Sequence, residues 1–139
     1  MDEASSEVLD PSLFPYAVGQ GALGLEARAE DTAVIEVLKA IECPKARAEA
    51  EAEREMMHAL GAGCSLPVGA CATWRDGRLT LHAQVTSIEG TERVVADRSA
   101  EPGQARELGL SVARILKEKG GVAILEKSYR GHYPSFKSI

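Results

Sequence analysis

A loop of seven residues, 61–67 (Gly-Ala-Gly-Cys-Ser-Leu-Pro), separates two segments with different periodicities. A charged segment with helical spacing enters the loop from Arg47, and an alternating, strand-like segment leaves it at Val68. The glycines and the proline predict a tight connection, and Cys64 lies inside it. Backbone geometry would hold a thiol there and leave it reachable, as a covalent attachment point requires. The alternative is that Cys64 is a small apolar residue filling a helix-to-strand turn, since most free cysteines are buried.

Length, charge and cysteine content exclude several classes of protein. A chain of 139 residues is long enough for one core and too short for two comfortable ones. The net charge of −5 disfavours general binding to nucleic acid or to an anionic membrane. No apolar run approaches the roughly 18 residues of a membrane-spanning helix, and the acidic N-terminus lacks the features of a signal peptide. The three cysteines form no CxxC pair, so we expect free thiols in a cytoplasmic protein.

The periodicities predict an α+β fold, with a three-stranded antiparallel sheet and helices packed on one face. Asp31 is a good N-cap for a helix that runs to Ile41. The remaining predicted elements are a helix over 45–60, strands over 68–73, 79–86 and 93–98, and a helix over 104–119. Asp76-Gly77 is the signal of a tight hairpin between the first two strands.

The segment 14–28 precedes a domain that already looks complete. It is apolar, its glycines break any helix, and Leu23, Leu25 and Ala27 alternate with other residues as in a strand. It also matches the dinucleotide fingerprint G-x-G-x-x-G, but Pro15 lies upstream and no helix follows, so we reject that interpretation. A strand without an evident partner suggests a sheet that this chain does not contain. We expect Phe14 and Leu25 to be exposed, which would favour association.

Conventional catalytic residues are scarce in this sequence. The histidines share no zinc-site spacing with cysteines or carboxylates: His58, His82 and His132. A dyad of Cys64 with His58 is conceivable, although His58 also fits a partly exposed helix position. Cys43 and Cys71 are interpreted as small packing residues. We therefore expect no metal site.

The combination of segments is more specific than any one of them. Residues 17–26 (Ala-Val-Gly-Gln-Gly-Ala-Leu-Gly-Leu-Glu) resemble the segment of porphobilinogen deaminases (hydroxymethylbilane synthases) that closes the second domain crossover. Residues 52–54 (Ala-Glu-Arg), followed by 63–70 (Gly-Cys-Ser-Leu-Pro-Val-Gly-Ala), are similar to that family's cofactor-attachment region. Asp76-Gly77 with Leu79 and Leu81, then Gly90, then Ala105 with Leu108-Gly109 follow in the family's order. The resemblance covers roughly residues 14–126.

The resemblance implies an enzyme of tetrapyrrole and heme biosynthesis. In the family, the loop cysteine forms a thioether to a dipyrromethane cofactor, and four porphobilinogens are added in turn with loss of ammonia. Cys64 would carry the cofactor covalently, and Gln20 and Gly21 would line the cleft. A glycine-permitted bend in a strand is an equally good interpretation of Gln20 and Gly21. Glu53 and Arg54 would brace the helix beneath the loop rather than contact substrate.

Two departures from the family qualify these expectations. Ala62 stands where the family usually has glycine, a small change that should not remove the thiol. The chain also begins where roughly the last half of the family begins. The family's catalytic aspartate and most carboxylate-binding arginines would then lie in a missing N-terminal half, so we expect no catalytic residue here. The net negative charge is consistent with that, because a tetrapyrrole with eight carboxylates needs a cationic cleft.

These expectations give a domain plan with four parts. They are a flexible acidic N-terminus (1–13), the last strand segment of the family's first domain (14–28), the C-terminal cofactor-carrying domain (29–128) and an irregular tail (129–139). We expect the isolated chain to be inactive without an N-terminal half as its partner. The alternatives are a non-catalytic α+β interaction domain that keeps the fold, and a stand-alone thiol enzyme that uses Cys64.

Overall fold

The computed structural model describes residues 7–61 and 66–132, with side chains described as far as Ser128. The helices are α1 (Thr32–Ile41), α2 (Pro44–Leu60), α3 (Ala105–Glu118) and α4 (Gly121–His132). The strands are β1 (Tyr16–Ala17), β2 (Val68–Arg75), β3 (Arg78–Thr86) and β4 (Arg93–Ala100). The strands form one antiparallel sheet in the order β1-β2-β3-β4. The predicted α+β class is confirmed.

The sheet separates an apolar inner face from a polar outer face, because side chains alternate along each strand. Leu81 lies at the centre of the inner face, opposite Ala72 of β2, and is fully buried. Asp76 and Gly77 both have positive φ angles, 50° and 79°, as the two central residues of a type I′ hairpin require. The hairpin predicted from the Asp-Gly pair therefore sets the β2–β3 register.

Helices α2, α3 and α4 cover the inner face. Met56 of α2 and Val112 and Leu116 of α3 are fully buried, and Ile124 and Leu125 place α4 against the same core. The short apolar run at 122–125 is part of α4. Burial of these side chains supplies the main stabilising free energy, at about 1.5–3 kcal/mol for each large aliphatic side chain.

Helix α1 forms as predicted but has no buried residue. Asp31 Oδ1 accepts a hydrogen bond from the Val34 backbone N–H at 3.4 Å and caps the helix. Val37 and Ile41, on its predicted apolar face, are 66% and 67% exposed. The amphipathic pattern was correct, but the surface that should cover it is not among the described residues.

The N-terminal strand lies earlier in the chain than predicted. Residues 22–28 form no strand, and Leu23 and Leu25 are 94% and 62% exposed, whereas Tyr16–Ala17 pairs with β2. The sheet thus has four strands rather than the three predicted. The segment 14–28, which we expected to have no partner strand in this chain, does pair with β2 through Tyr16–Ala17. Alternation alone does not make a strand, because a strand needs a neighbouring edge for its backbone hydrogen bonds. The predicted exposure of Leu25 and Phe14 is confirmed, Phe14 being 54% exposed.

No helix within the described ranges combines the length and the apolar character needed to cross a bilayer.

Candidate functional site

The loop predicted to carry the thiol connects the end of α2 to the start of β2. Helix α2 ends at Leu60, and Gly61 adopts a left-handed conformation with φ of 70° while its N–H bonds back to the His58 carbonyl at 3.0 Å. This is a typical helix C-terminus, and glycine adopts its backbone conformation without strain. Residues 62–65, including Cys64, lie outside the described residues. The local sequence therefore fixes where the helix stops and the loop begins.

The far end of the loop is held by the sheet. The chain is described again from Leu66, whose carbonyl accepts a hydrogen bond from the Val68 N–H at 2.7 Å. The Pro67 carbonyl accepts from the Thr86 N–H of β3 at 3.0 Å. The described residues at both ends of the four-residue segment 62–65 are thus hydrogen-bonded to regular secondary structure.

Gln20 and Gly21 lie in a turn that directly follows β1. Ala17 is paired with Gly69, near the start of β2, and the chain then continues toward the end of β2 that follows Cys64. The turn is closed by the Gln20 N–H bonding to the Ala17 carbonyl at 2.9 Å, and by the Gln20 side-chain oxygen accepting the Ala17 N–H at 3.1 Å. Because Oε1 of Gln20 is used in this way, its exposed amide nitrogen is the group available as a donor.

Open space surrounds these positions. A Cβ atom built at Gly21 or at Gly61 meets no heavy atom within 4 Å. Gln20 and Gly21 are both exposed, and the Arg54 guanidinium Nε lies 3.9 Å from where a Cβ at Gly19 would be. The chain is therefore open at Gly21 and at Gly61 on the side where a Cβ atom would lie, and the Arg54 side chain approaches the Gly19 turn.

Glu53 connects this turn to the rest of the domain, a contact that the sequence analysis missed. Its Oε2 accepts the Gly19 N–H at 2.7 Å, and its Oε1 accepts the Ala72 N–H of β2 at 2.8 Å. Burial raises the pKa of this carboxyl, and the two N–H bonds oppose that rise. The available sequence signal was its spacing, because Glu53 lies three and seven residues before the buried Met56 and Leu60.

Of the other two cysteines, Cys43 lies on the surface and Cys71 lies in the interior. Cys43 is exposed, so its interpretation as a packing residue was wrong, because it stands in the short connection between α1 and α2. Cys71 is buried, as predicted, and burial is the main cause that raises the pKa of its thiol, followed by the charge of Glu53. A raised pKa reduces the thiolate fraction and makes Cys71 a poor nucleophile. His58 is exposed on α2, as expected.

A cavity of about 150 Å³ lies on the outer face of the sheet, apart from the loop. The His82 ring Nδ1 lies 2.5 Å from Asp97 Oδ1, and Asp10 and Cys71 also line the cavity. Among the described residues, no group of three or more histidine, cysteine or acidic side chains is arranged to hold a metal ion.

Comparisons with known proteins identify relatives for most of the chain. The family model described as "Porphobilinogen deaminase, C-terminal domain" matches residues 46–118. A porphobilinogen deaminase of Syntrophobacter fumaroxidans is 43% identical over 122 residues, which cover 88% of this chain and 40% of the relative. One from Desulforudis audaxviator is 46% identical over 83% of this chain and 37% of the relative, and one from Gloeobacter violaceus is 43% identical over 91% and 39%. The chain thus spans about 40% of the length of these curated relatives.

Proposed function

Because the chain belongs to the porphobilinogen deaminase family, we propose that it is the cofactor-carrying part of a hydroxymethylbilane synthase and that Cys64 is its attachment point. The observation that carries the proposal is the anchored loop. Cys64 stands between the C-terminus of α2 at Leu60 and the start of β2 at Val68, and the described residues next to the segment, Gly61, Leu66 and Pro67, are hydrogen-bonded within the fold. The proposed cofactor is dipyrromethane, bound through a thioether to the Cys64 sulfur.

Cys64, Gln20 and Arg54 have different proposed roles. When bound, dipyrromethane supplies the terminal pyrrole to which the first of four porphobilinogens is joined, with release of ammonia. Cys64 would hold the chain through a carbon–sulfur bond, which is stable because the cysteine thiolate is a poor leaving group. Gln20 contributes its amide nitrogen as a hydrogen-bond donor, while its oxygen is already bonded to Ala17. Arg54 is the cation beside the Gly19 turn and is suited to a pyrrole carboxylate.

The proposed chemistry also needs residues beyond those of this chain. A product with eight carboxylates requires a strongly cationic cleft, whereas this chain has a net charge of −5. We propose that the rest of the family's length, joined to this chain or supplied as a separate polypeptide, provides the proton-transfer aspartate and most of the arginines. The isolated chain is then inactive in the condensation of porphobilinogen.

Covalent loading is the first prediction. When the chain is co-expressed with the N-terminal part of one of the relatives, intact-protein mass spectrometry should show an addition of the cofactor's mass. Cys64→Ala should abolish the addition completely, because no other thiol occupies the anchored loop. Cys43→Ala is the matched control, since it also removes a thiol, in this case an exposed one, and it should load normally.

Persistent failure of the wild-type chain to load would contradict the proposal. It would favour the alternative of a non-catalytic α+β domain that retains the fold for interaction. Turnover by the isolated chain that alkylation abolishes would instead support a stand-alone thiol enzyme.

The second prediction concerns the surface that the proposed N-terminal half would cover. The exposed large apolar residues of the chain between β1 and α2 are Leu23, Leu25, Val34, Val37 and Ile41. Large exposed apolar surfaces are typical of interaction sites, so we propose that these side chains form one. Val37→Asp should abolish co-purification with the N-terminal part, because the carboxylate would be buried without a partner.

Ile88→Asp is the control for that experiment. Ile88 is an exposed apolar residue in the turn between β3 and β4 and is outside the proposed surface, so this variant should still co-purify. Without a partner, the wild-type chain should self-associate in light scattering. A strictly monomeric chain with sharp two-state unfolding would show that the surface needs no cover.

A further inference from the structure

Glu53 is unusual among the described residues because it is the one charged side chain in the buried class, at 9% exposure. A buried carboxylate is costly unless it is paired or hydrogen-bonded. No cation lies within ion-pair distance of Glu53 in the described part of the chain. Its compensation comes from two backbone N–H groups, one on each oxygen, at 2.7 and 2.8 Å.

The two N–H groups belong to segments that are distant in sequence. Gly19 is 34 residues before Glu53, in the turn that carries Gln20, and Ala72 is 19 residues after it, in β2. One carboxylate therefore joins three pieces of chain, namely the Gly19 turn, α2 and β2. Glu53 also lies seven residues before the end of α2, about 10 Å along the helix from the point where the cysteine loop begins.

We propose that Glu53 is a positioning residue that holds the Gln20–Gly21 turn at a fixed place relative to α2 and β2, the two elements that flank the segment with Cys64 in the sequence. This inference rests on the proposed function for the identity of the site, but the contact itself can be tested without it. In the proposed enzyme, the pyrrole chain attached to Cys64 must meet the donors of the turn at a defined distance. A turn that moves away from α2 would lose that alignment while the domain core remained intact.

The groups that face Glu53 make the contact sensitive to pH. Burial is the main cause that raises the pKa of Glu53, and the Glu49 carboxylate one turn earlier on α2 raises it further. The charge of Glu53 in turn helps to raise the pKa of the Cys71 thiol on β2, after burial as the main cause. The folded chain thus binds the Glu53 proton more tightly than the unfolded chain does. Stability should therefore fall as the pH rises from the unfolded pKa to the higher folded pKa.

The variant Glu53→Gln tests whether Glu53 acts through its two hydrogen bonds or only by filling space. Glutamine has nearly the same shape, but its amide nitrogen is a donor and cannot accept the second N–H. We expect amide hydrogen exchange, measured by NMR, to accelerate at least about tenfold at Gly19 or Ala72, because a charge-assisted hydrogen bond is lost. Glu51→Gln, an exposed position on the same helix, is the control and should leave both amides protected.

The wild-type chain provides a second measurement that needs no variant. The Gly19 and Ala72 amide signals should titrate together, with one midpoint above the ordinary pKa of glutamate. Glu53→Gln should also reduce Cys64 loading in the co-expressed system, whereas Glu51→Gln should not. Unchanged exchange at both Gly19 and Ala72 in Glu53→Gln, or two unrelated midpoints in the wild type, would overturn the inference. If no variant loads but the amides behave as expected, the contact stands and the proposed function fails.

Discussion

Gly109→Ala should destabilise the chain by more than about 2 kcal/mol, the range in which a methyl group forced into a packed core costs energy. Gly109 lies on α3 where this helix crosses α2. A Cβ atom there would lie well inside the van der Waals contact distance of the Ala52 carbonyl oxygen and 3.0 Å from the Met56 backbone nitrogen. Both are backbone atoms, so no side chain can rotate away and the helices must separate. The free energy of unfolding in urea measures the loss.

The sign of this effect distinguishes packing from helix propensity. Alanine is intrinsically better than glycine inside a helix by about 1 kcal/mol, so a glycine without a contact role would give a more stable variant. Leu110→Ala, the next position on α3, is the control, since Leu110 is 44% exposed and should change stability little. A Gly109→Ala variant as stable as the wild type would show that α2 and α3 are not in close contact.

Leu81→Ala should cost about 2–5 kcal/mol, the range measured when a buried leucine is truncated and a cavity remains. Leu81 is fully buried in β3, the strand flanked by β2 and β4, beneath the helices. The total stability of a domain is about 5–15 kcal/mol, so this one substitution could unfold a large fraction of the molecules. Thermal and urea unfolding, followed by circular dichroism, provide the measurement.

Leu23→Ala makes the same chemical change at a position that is 94% exposed. It should leave the free energy of unfolding of the isolated chain within about 0.5 kcal/mol of the wild type, as is usual for surface substitutions. Equal losses at the two positions would mean that Leu23 is covered in solution, for example by self-association. Repeating the comparison at low protein concentration would identify that case.

Elements with a strong local signal were predicted almost to the residue. The α2 helix was expected over 45–60 and runs from Pro44 to Leu60, and the Asp76-Gly77 pair specified the hairpin that joins β2 and β3. The position of the cysteine loop in the sequence followed from the same signals, because the loop lies between a segment with helical periodicity and a segment with strand-like periodicity. The resemblance to a family then supplied the role that we propose for the thiol of Cys64, covalent attachment of the cofactor.

The errors lie where the structure depends on a distant partner. Residues 23–28 alternate like a strand but have no adjacent edge, whereas the two residues Tyr16–Ala17 form a strand because β2 offers one. Cys43 looks like a packing residue in sequence, but it lies in an exposed connection. Glu53 was expected to brace α2, and its two N–H partners could not be predicted because they lie 34 and 19 residues away.

The sequence alone determined the family, the order of the main helices and strands, and the placement of Cys64 between α2 and β2. These depend on periodicity, caps and turns, which act over a few residues and are written directly in the local sequence. Only the tertiary structure decided that the Gly19 turn is tied to α2 through Glu53 and that the apolar face of α1 has no cover among the described residues. Such contacts form only when the folded backbone brings distant segments together, so local sequence patterns do not predict which distant residues will meet.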